Sequence, residues 1–532
     1  MEGIVSALNS VIWSPALIYL CLGAGLFYSI MTRFVQIRLF KEMLRLLFKG
    51  KPDNDGISSF QALAVALAGR VGMGNIAGVA AAIGFGGPGA VFWMWIVAFL
   101  GASTAYVEST LGQIYKERDV ITGEYRGGPA YYFERALGQK WYGILFAISS
   151  IIACGIFLPG VQANGVVNAV AQVTGEGTMM NFMGLDVGSS RLIALAIILA
   201  VLGFIIFGGI KRIANFAEYA VPFMALGYIV LALLIMFTNF SKVPEVFGMI
   251  IGDAFSPMAA FGAAIGWGVK RGIYSNEAGQ GTGPHAAAAA AVDHPSQQGL
   301  VQAFSVYVDT LLVCSATAFM ILSTGMYNVR CLADNKCTTA PDGTFLIDSP
   351  TSNTIATMVT NGEIAIDTPS FTQMAMESVY GTFGDSFIAI AVFFFAFTTI
   401  LAYYYIAEVN ISYLTRSMGK GASKTGIFLV KVVIMIMVAY GALNSSGYIW
   451  GLGDVGVGLM AWLNIVGIII IFFVAKPTLT MLKDYEAQLK AGGGTSEKRF
   501  VFDPKKFGIK NATYWEERYK QTVESNRKND LK

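Results

Sequence analysis

Charge is scarce in this sequence. Only 13% of its 532 residues are Asp, Glu, Lys or Arg, against about 25% in a soluble domain. Histidine is scarcer still, with His285 and His294 alone. The five cysteines (Cys21, Cys154, Cys314, Cys331 and Cys337) form no CxxC and no Cys/His cluster. A zinc site therefore lacks its ligands. No basic tract with interleaved aromatics occurs, so nucleic acid is not expected as a partner. There is no HExxH and no Walker A loop, so metalloprotease and ATPase readings lack their parts. Residues 451–454 read GLGD, as in intramembrane aspartyl proteases. That chemistry needs a second Asp facing Asp454 at depth, and no YD motif precedes it.

What remains is apolar. Hydrophobic residues make up 55% of the chain, mean hydropathy is +0.58, and there are 60 glycines. This is the composition of an all-α polytopic membrane protein. A span needs roughly 20 apolar residues. Eleven candidates occur, at about 13–32, 58–84, 88–115, 141–171, 191–209, 213–237, 255–290, 297–325, 384–414, 425–443 and 450–475. The first has no basic residue before it and no cleavage site after it, so we read it as a retained span. Lys and Arg crowd alternate loops: Arg33 to Lys51, Lys116 to Lys140, Lys211, Arg212, Lys270, Arg271, Arg416, Lys420 and Lys424. Opposite loops hold only Arg191, Lys242, Arg330 and Lys336. The positive-inside rule then puts the N-terminus out and the C-terminus in. Expected divisions are 1–54 (extra helix and linker), 55–240 and 241–475 (two five-helix groups, with an outer loop at 326–383), and 476–532, a solvated cytoplasmic tail. Cys331 and Cys337 share the outer loop, as a disulfide or as two thiols.

Two stretches break the apolar pattern. GRVGMGNIAG (69–78) sits between FQALAVALA and VAAAIGF. FGAAIGWGVKRG (261–272) interrupts the overlong seventh span. Glycine-rich breaks expose main-chain groups that lipid cannot satisfy. The freed helix ends carry partial charges suited to a zwitterion and a small cation. With the first span set aside, each break opens a group of five spans, and an odd number inverts the second group. This points to an inverted-repeat transporter with its site at the midplane.

Ionisable groups at depth are functional candidates. Asp309 neutralises a cation, or is a hydrogen-bonded strut. Arg70 pairs with Asp309 or Glu277, or points along a vestibule. Glu108 is structural or a gate. Thr398 and Thr399, with the Phe395 carbonyl and carbonyls freed by a break, form an oxygen cage for Na⁺, or bond back to their own helix. Around the Pro-Gly kink of FLPGVQANGVVN are Phe157, Gln162, Asn164 and Asn168; one lines a pocket and packing explains the others.

GGPGAVFWMWIVAFLG (86–101) resembles the signature of the sodium:alanine (or glycine) symporter family. GRVGMGNIAGVAAAI, RGGPAYYFERALG, GWGVKRGIYSNEAGQGTGPHAAAAA and VYVDTLLVC also resemble family segments. The resemblance implies eleven spans, ten of them in a leucine-transporter-type 5+5 inverted repeat with two broken helices. It implies Na⁺-coupled uptake of alanine or glycine across a prokaryotic inner membrane, with no cofactor and no enzymatic activity. It assigns Gly72, Met73, Gly74 and Asn75 to the substrate carboxylate. Phe261, Gly262, Ala264 and Trp267 fall at the amino and side-chain end. The carbonyls of Ala68 and Val71, with Phe395, Thr398 and Thr399, bind one Na⁺. Met73 stands where many relatives have Thr. The rival expectations are another solute on the same fold, H⁺ coupling through Asp309, and a passive channel.

Overall fold

The computed structural model describes residues 2–47, 56–119, 121–182, 184–255, 263–327, 368–494 and 499–530. The helices that position the site are α1 (Glu2–Ile12), α2 (Pro15–Met31), α3 (Ser59–Arg70), α4 (Val79–Gly86), α5 (Gly89–Ile114), α6 (Leu158–Thr174), α7 (Gly209–Thr238), α8 (Ala263–Asn276), α9 (Gly283–Ala289), α10 (Pro295–Val306), α11 (Thr382–Thr415), α12 (Ser446–Ala475) and α13 (Thr513–Asp530). Strands form only two short antiparallel hairpins among the described residues. By length and composition, eight helices there can cross a membrane, or up to ten if each bent pair is one span. The bent pairs are α1 with α2, at 43°, and α3 with Gly74–Gly86, at 53°. The expected seventh span is divided between α8 and α9, and residues 256–262 lie outside the described residues. So do Phe261, Gly262, Cys331 and Cys337.

Helix α3 starts where Ser58 accepts the Gln61 N–H at 3.1 Å and Gln61 returns the bond to the Ser58 N–H at 3.0 Å, a capping box. It ends at Arg70, where Val71 leaves helical geometry (φ −80°, ψ 86°). A wide-turn segment, Gly74–Gly78, then leads into α4. Such segments carry extra main-chain slack. Two more interrupt spans, at Ile151–Phe157 and Tyr307–Cys314.

The second break is not where the Gly-x-Gly pattern predicted it. Helix α8 runs unbroken through Gly266, Trp267 and Gly268. A Cβ on Gly268 would sit 2.7 Å from Trp93 Cβ and collide with the Ala90 carbonyl. That glycine brings α8 onto α5. The helix stops at Asn276, and Glu277, Gly279 and Gly281 take positive φ of 55°, 86° and 85°. Pro284 then opens α9.

Lys270 and Arg271 also differ from expectation. They are not loop cations. Both lie in α8, paired with Asp454 of α12 at 2.7 and 2.9 Å. The Arg271 bond is bidentate, and the Trp13, Trp267 and Trp450 rings surround the pair. The orientation argument therefore rests on the remaining loop cations. The end of the chain is docked, too. Trp515 of α13 is buried and donates to the Gln113 carbonyl at 2.8 Å. Arg518 bonds Asp293 at 2.8 Å. His294 lies against Tyr485, Phe500 and Phe502.

Candidate functional site

The first break is built by diverted main-chain bonds. The Gly72 N–H, which would close the helix onto Ala68, turns instead to Asn75 Oδ1 at 2.9 Å. The Asn75 N–H bonds the Gly72 carbonyl at 3.1 Å rather than that of Val71. The Ala68 and Val71 carbonyls are thereby freed at a helix C-terminus, the negative end of its dipole. They converge on the Thr399 hydroxyl of α11, at 2.8 and 3.4 Å. The Phe395 carbonyl lies 2.8 Å from the same oxygen. A hydroxyl has one proton to give. Three carbonyls around it are a set of oxygens short of donors, the kind of set a hard cation takes.

Thr398 is placed otherwise. Its hydroxyl bonds back to Phe394 and Phe395, at 2.9 and 3.0 Å, and faces Met224 of α7. It reaches the set only through the shared Phe395 carbonyl.

On the other side of the break are main-chain donors. The Met73 N–H donates to Gln162 Oε1 of α6 at 3.0 Å. A Cβ on Gly72 would meet both Gln162 Oε1, at 2.9 Å, and the Thr399 side chain. The Met73 thioether fills the space over Gly165, where a Cβ would come within 2.9 Å of its Cγ. Gly74 lies against Ser275 of α8. Asn75 links the break to α10's continuation, donating to Asp309 Oδ1 at 2.6 Å. Asp309 Oδ2 also accepts from Ser275 at 2.8 Å and Thr310 at 2.7 Å. The structure therefore brings Ala68, Val71, Gly72, Met73, Gly74, Asn75, Gln162, Asp309, Phe395 and Thr399 together.

The other expected residues lie elsewhere. Phe157 packs against Gly456 of α12. Asn164 and Asn168 tie α6 to Gly441, Asn444 and Ser446. Ala264 is buried in α8. Trp267 stacks on Phe85 near the far end of α4, with centroids 4.6 Å apart. Among the described residues Arg70 forms no ion pair, neither with Asp309 nor with Glu277. It donates to the Gln302 carbonyl at 3.1 Å and to the Ser305 hydroxyl.

Sequence reasoning missed the second break's own contribution. Glu108 of α5 accepts the Gly279 and Gly281 N–H groups at 3.2 and 3.1 Å, and the Asn464 amide at 2.7 Å. Glu277 accepts the Thr282 hydroxyl at 2.7 Å. The run NEAGQGTGP carries the signal: two amides, a carboxylate and three glycines before a proline. The two breaks adjoin, since Gly69 abuts Glu277 and Gly283 abuts Arg70.

The profile of the sodium:alanine symporter family matches residues 1–499. YrbD of Bacillus subtilis (strain 168), provisionally named a sodium/proton-dependent alanine carrier protein, is 52% identical over 99% of this chain and 100% of its own length. The sodium/proton-dependent alanine carrier protein of Bacillus sp. (strain PS3) is 44% identical over 91% of this chain and 99% of its own. Among solved structures, MhsT in complex with L-phenylalanine is 14% identical, covers 79% of this chain and 99% of its own, and superposes with a TM-score of 0.49. With one family profile across most of its length and relatives this similar from end to end, the chain belongs to the sodium:alanine symporter family.

Proposed function

We propose that this chain is a multi-pass symporter that uses Na⁺ to import alanine or glycine by alternating access, and not an enzyme. The observation that carries the reading is the convergence of three carbonyl oxygens on Thr399. Two of them are freed by the first break. Na⁺ at this set ties α3 to α11. Across the break, the Gly72 and Met73 N–H groups stand at a helix N-terminus, where a carboxylate is favoured. Their present acceptors, Asn75 Oδ1 and Gln162 Oε1, are the side chains that substrate would displace or share. The two cargoes thus meet on opposite sides of one turn of chain, so that each stabilises the arrangement the other needs. Met73 over Gly165 keeps the pocket short. One methylene in an apolar pocket discriminates by only about 1–3 kcal/mol, so larger side chains must be excluded sterically.

In this reading the N-terminus faces out, and the protein sits in the inner membrane of a prokaryote. A second reading adds H⁺ as a coupling ion. It draws on the buried carboxylates at the breaks and on the names of the two relatives. Uptake of labelled alanine and glycine into proteoliposomes under an imposed Na⁺ gradient tests the proposal. Concentrative uptake that disappears without Na⁺ or H⁺ gradients is expected. Uptake indifferent to both would overturn it and leave a passive channel.

A further inference from the structure

We infer that Glu277, in the second break, is the group that takes up and releases the coupling proton. The inference rests on the symport reading above and names a residue that reading leaves open. Three carboxylates lie buried around the breaks: Glu108, Glu277 and Asp309. Their surroundings differ in one respect that matters for a proton. All three donors on Glu108 are backbone or amide N–H groups. Such donors cannot turn into acceptors, so a proton on either oxygen would have to share it with a fixed N–H group. Asp309 has its Oδ1 held by the Asn75 amide and its Oδ2 held by two hydroxyls. Glu277 has Oε2 bonded to the Thr282 hydroxyl, while Oε1 has no close hydrogen-bond partner among the described residues and the Tyr403 hydroxyl stands beside the carboxylate. A proton can settle on Oε1 with only hydroxyls, those of Thr282 and Tyr403, to turn from donor to acceptor around it.

The position also suits the task. Glu277 lines a small cavity of about 10 Å³ with Gly69, Thr282, Gly283, Ala402 and Tyr405, room for roughly one water. The cavity lies where α3, α9 and α11 meet, at the junction of the two breaks. Glu277 itself holds a left-handed backbone conformation, φ 55°, rare for a residue with a Cβ and concentrated at functional sites.

The charged and titratable groups facing it come from every neighbouring element. They are Arg70 of α3, Tyr403 and Tyr405 of α11, Tyr274 of α8, Cys154 and, beyond them, Asp309. Arg70 is the one cation, and its Nε and Nη2 lack partners among the described residues. Ionised Glu277 draws that guanidinium towards the α3–α9 junction. Protonation converts the carboxylate to a neutral acid, removes the attraction and makes no other bond. The proton leaves again when the cavity opens to the opposite solution.

The test uses the full chain in proteoliposomes with equal Na⁺ on both sides, loaded with a pH dye. Labelled alanine is added outside, and lumen acidification is divided by alanine taken up in the same vesicles. A merely structural defect lowers both quantities and leaves the ratio unchanged. The wild type should acidify the lumen, and Glu277→Gln should lower the ratio by about tenfold or more. An unchanged ratio in Glu277→Gln, or collapse in Asp309→Asn instead, would overturn the inference. If the wild type moves alanine on a Na⁺ gradient but moves no protons, the inference falls and the symport reading stands. If it moves alanine under neither gradient, both fall. Should Glu277→Gln fail to accumulate, Glu277→Asp keeps the acid on a shorter arm. Its proton-driven uptake should shift in pH midpoint by about half a unit or more, and an unshifted midpoint counts against the assignment.

Discussion

Replacing Gly72 with Ala adds one methyl at the point where three helices meet. Built on the present backbone, that methyl lies 2.9 Å from Gln162 Oε1 and 3.2 Å from Thr399 Cβ, and it overlaps the Thr399 hydroxyl. Neither side chain can move without cost: Thr399 has a single rotor, bonded to Ala68 and Phe395, and Gln162, though longer, gives up the Met73 N–H if it swings away. Overpacking of this kind costs about 1–3 kcal/mol. Each hydrogen bond loosened adds about 0.5–1.5 kcal/mol. With partial relaxation the sum comes to about 2–4 kcal/mol, or roughly a 30- to 1,000-fold loss where 1.4 kcal/mol is tenfold. The assay is initial-rate alanine uptake at limiting substrate and saturating Na⁺, on protein whose melting shows it folded. Gly78→Ala is the control. It lies in the same wide-turn segment, but its Cβ would find nothing closer than 3.8 Å, so it should stay within about threefold of wild type. Equal activity in the two variants would refute the claim that this turn is where cation and substrate are held.

Other consequences can be measured separately. Thr399→Ala should raise the Na⁺ concentration for half-maximal uptake by about tenfold or more, whereas Thr398→Ala, whose hydroxyl bonds its own helix, should move it by less than about threefold; titration of uptake against Na⁺ separates the two. Trp515→Ala removes a buried indole and its bond to Gln113, a change of about 3–5 kcal/mol, and should expose residues 499–512 to limited proteolysis. Docking of the tail should also weaken in acid. Burial holds the His294 imidazole below its ordinary range, so the folded state binds fewer protons than the unfolded one. The docking energy is therefore fully present above about pH 6.5 and declines as pH falls below it. Protease sensitivity of the tail at pH 7.5 and 5.5 reads this, and His294→Asn should flatten the difference.

How much of this was legible in the chain follows from how local each feature is. The first break was legible because Gly72-Met73-Gly74 interrupts an apolar run, and interruption is a property of that run alone. The same Gly-x-Gly at 266–268 misled, because glycine serves two ends that look identical in sequence. At Gly268 it permits backbone contact with Ala90 inside a continuous helix. At Gly279 and Gly281 it supplies the positive φ that ends one. Only the partner across the gap distinguishes them. Partners likewise decided the adjacent threonines. Residues 398 and 399 differ by one step around the helix, and that step separates a bond to Phe394 from one to Ala68. Lys270 and Arg271 read as loop cations because Asp454, which neutralises them, lies 183 residues from Arg271. The family signature located the right spans without correcting any of these. A signature records which residues recur, whereas a transport site depends on which of them face each other. The first half-site was visible as a local defect in a helix, whereas the second lay one segment beyond the glycines that announced it. That the two defects adjoin at Gly69 and Glu277, leaving one carboxylate oxygen unmatched, is a fact of packing, and it is on that unmatched oxygen that the coupling argument turns.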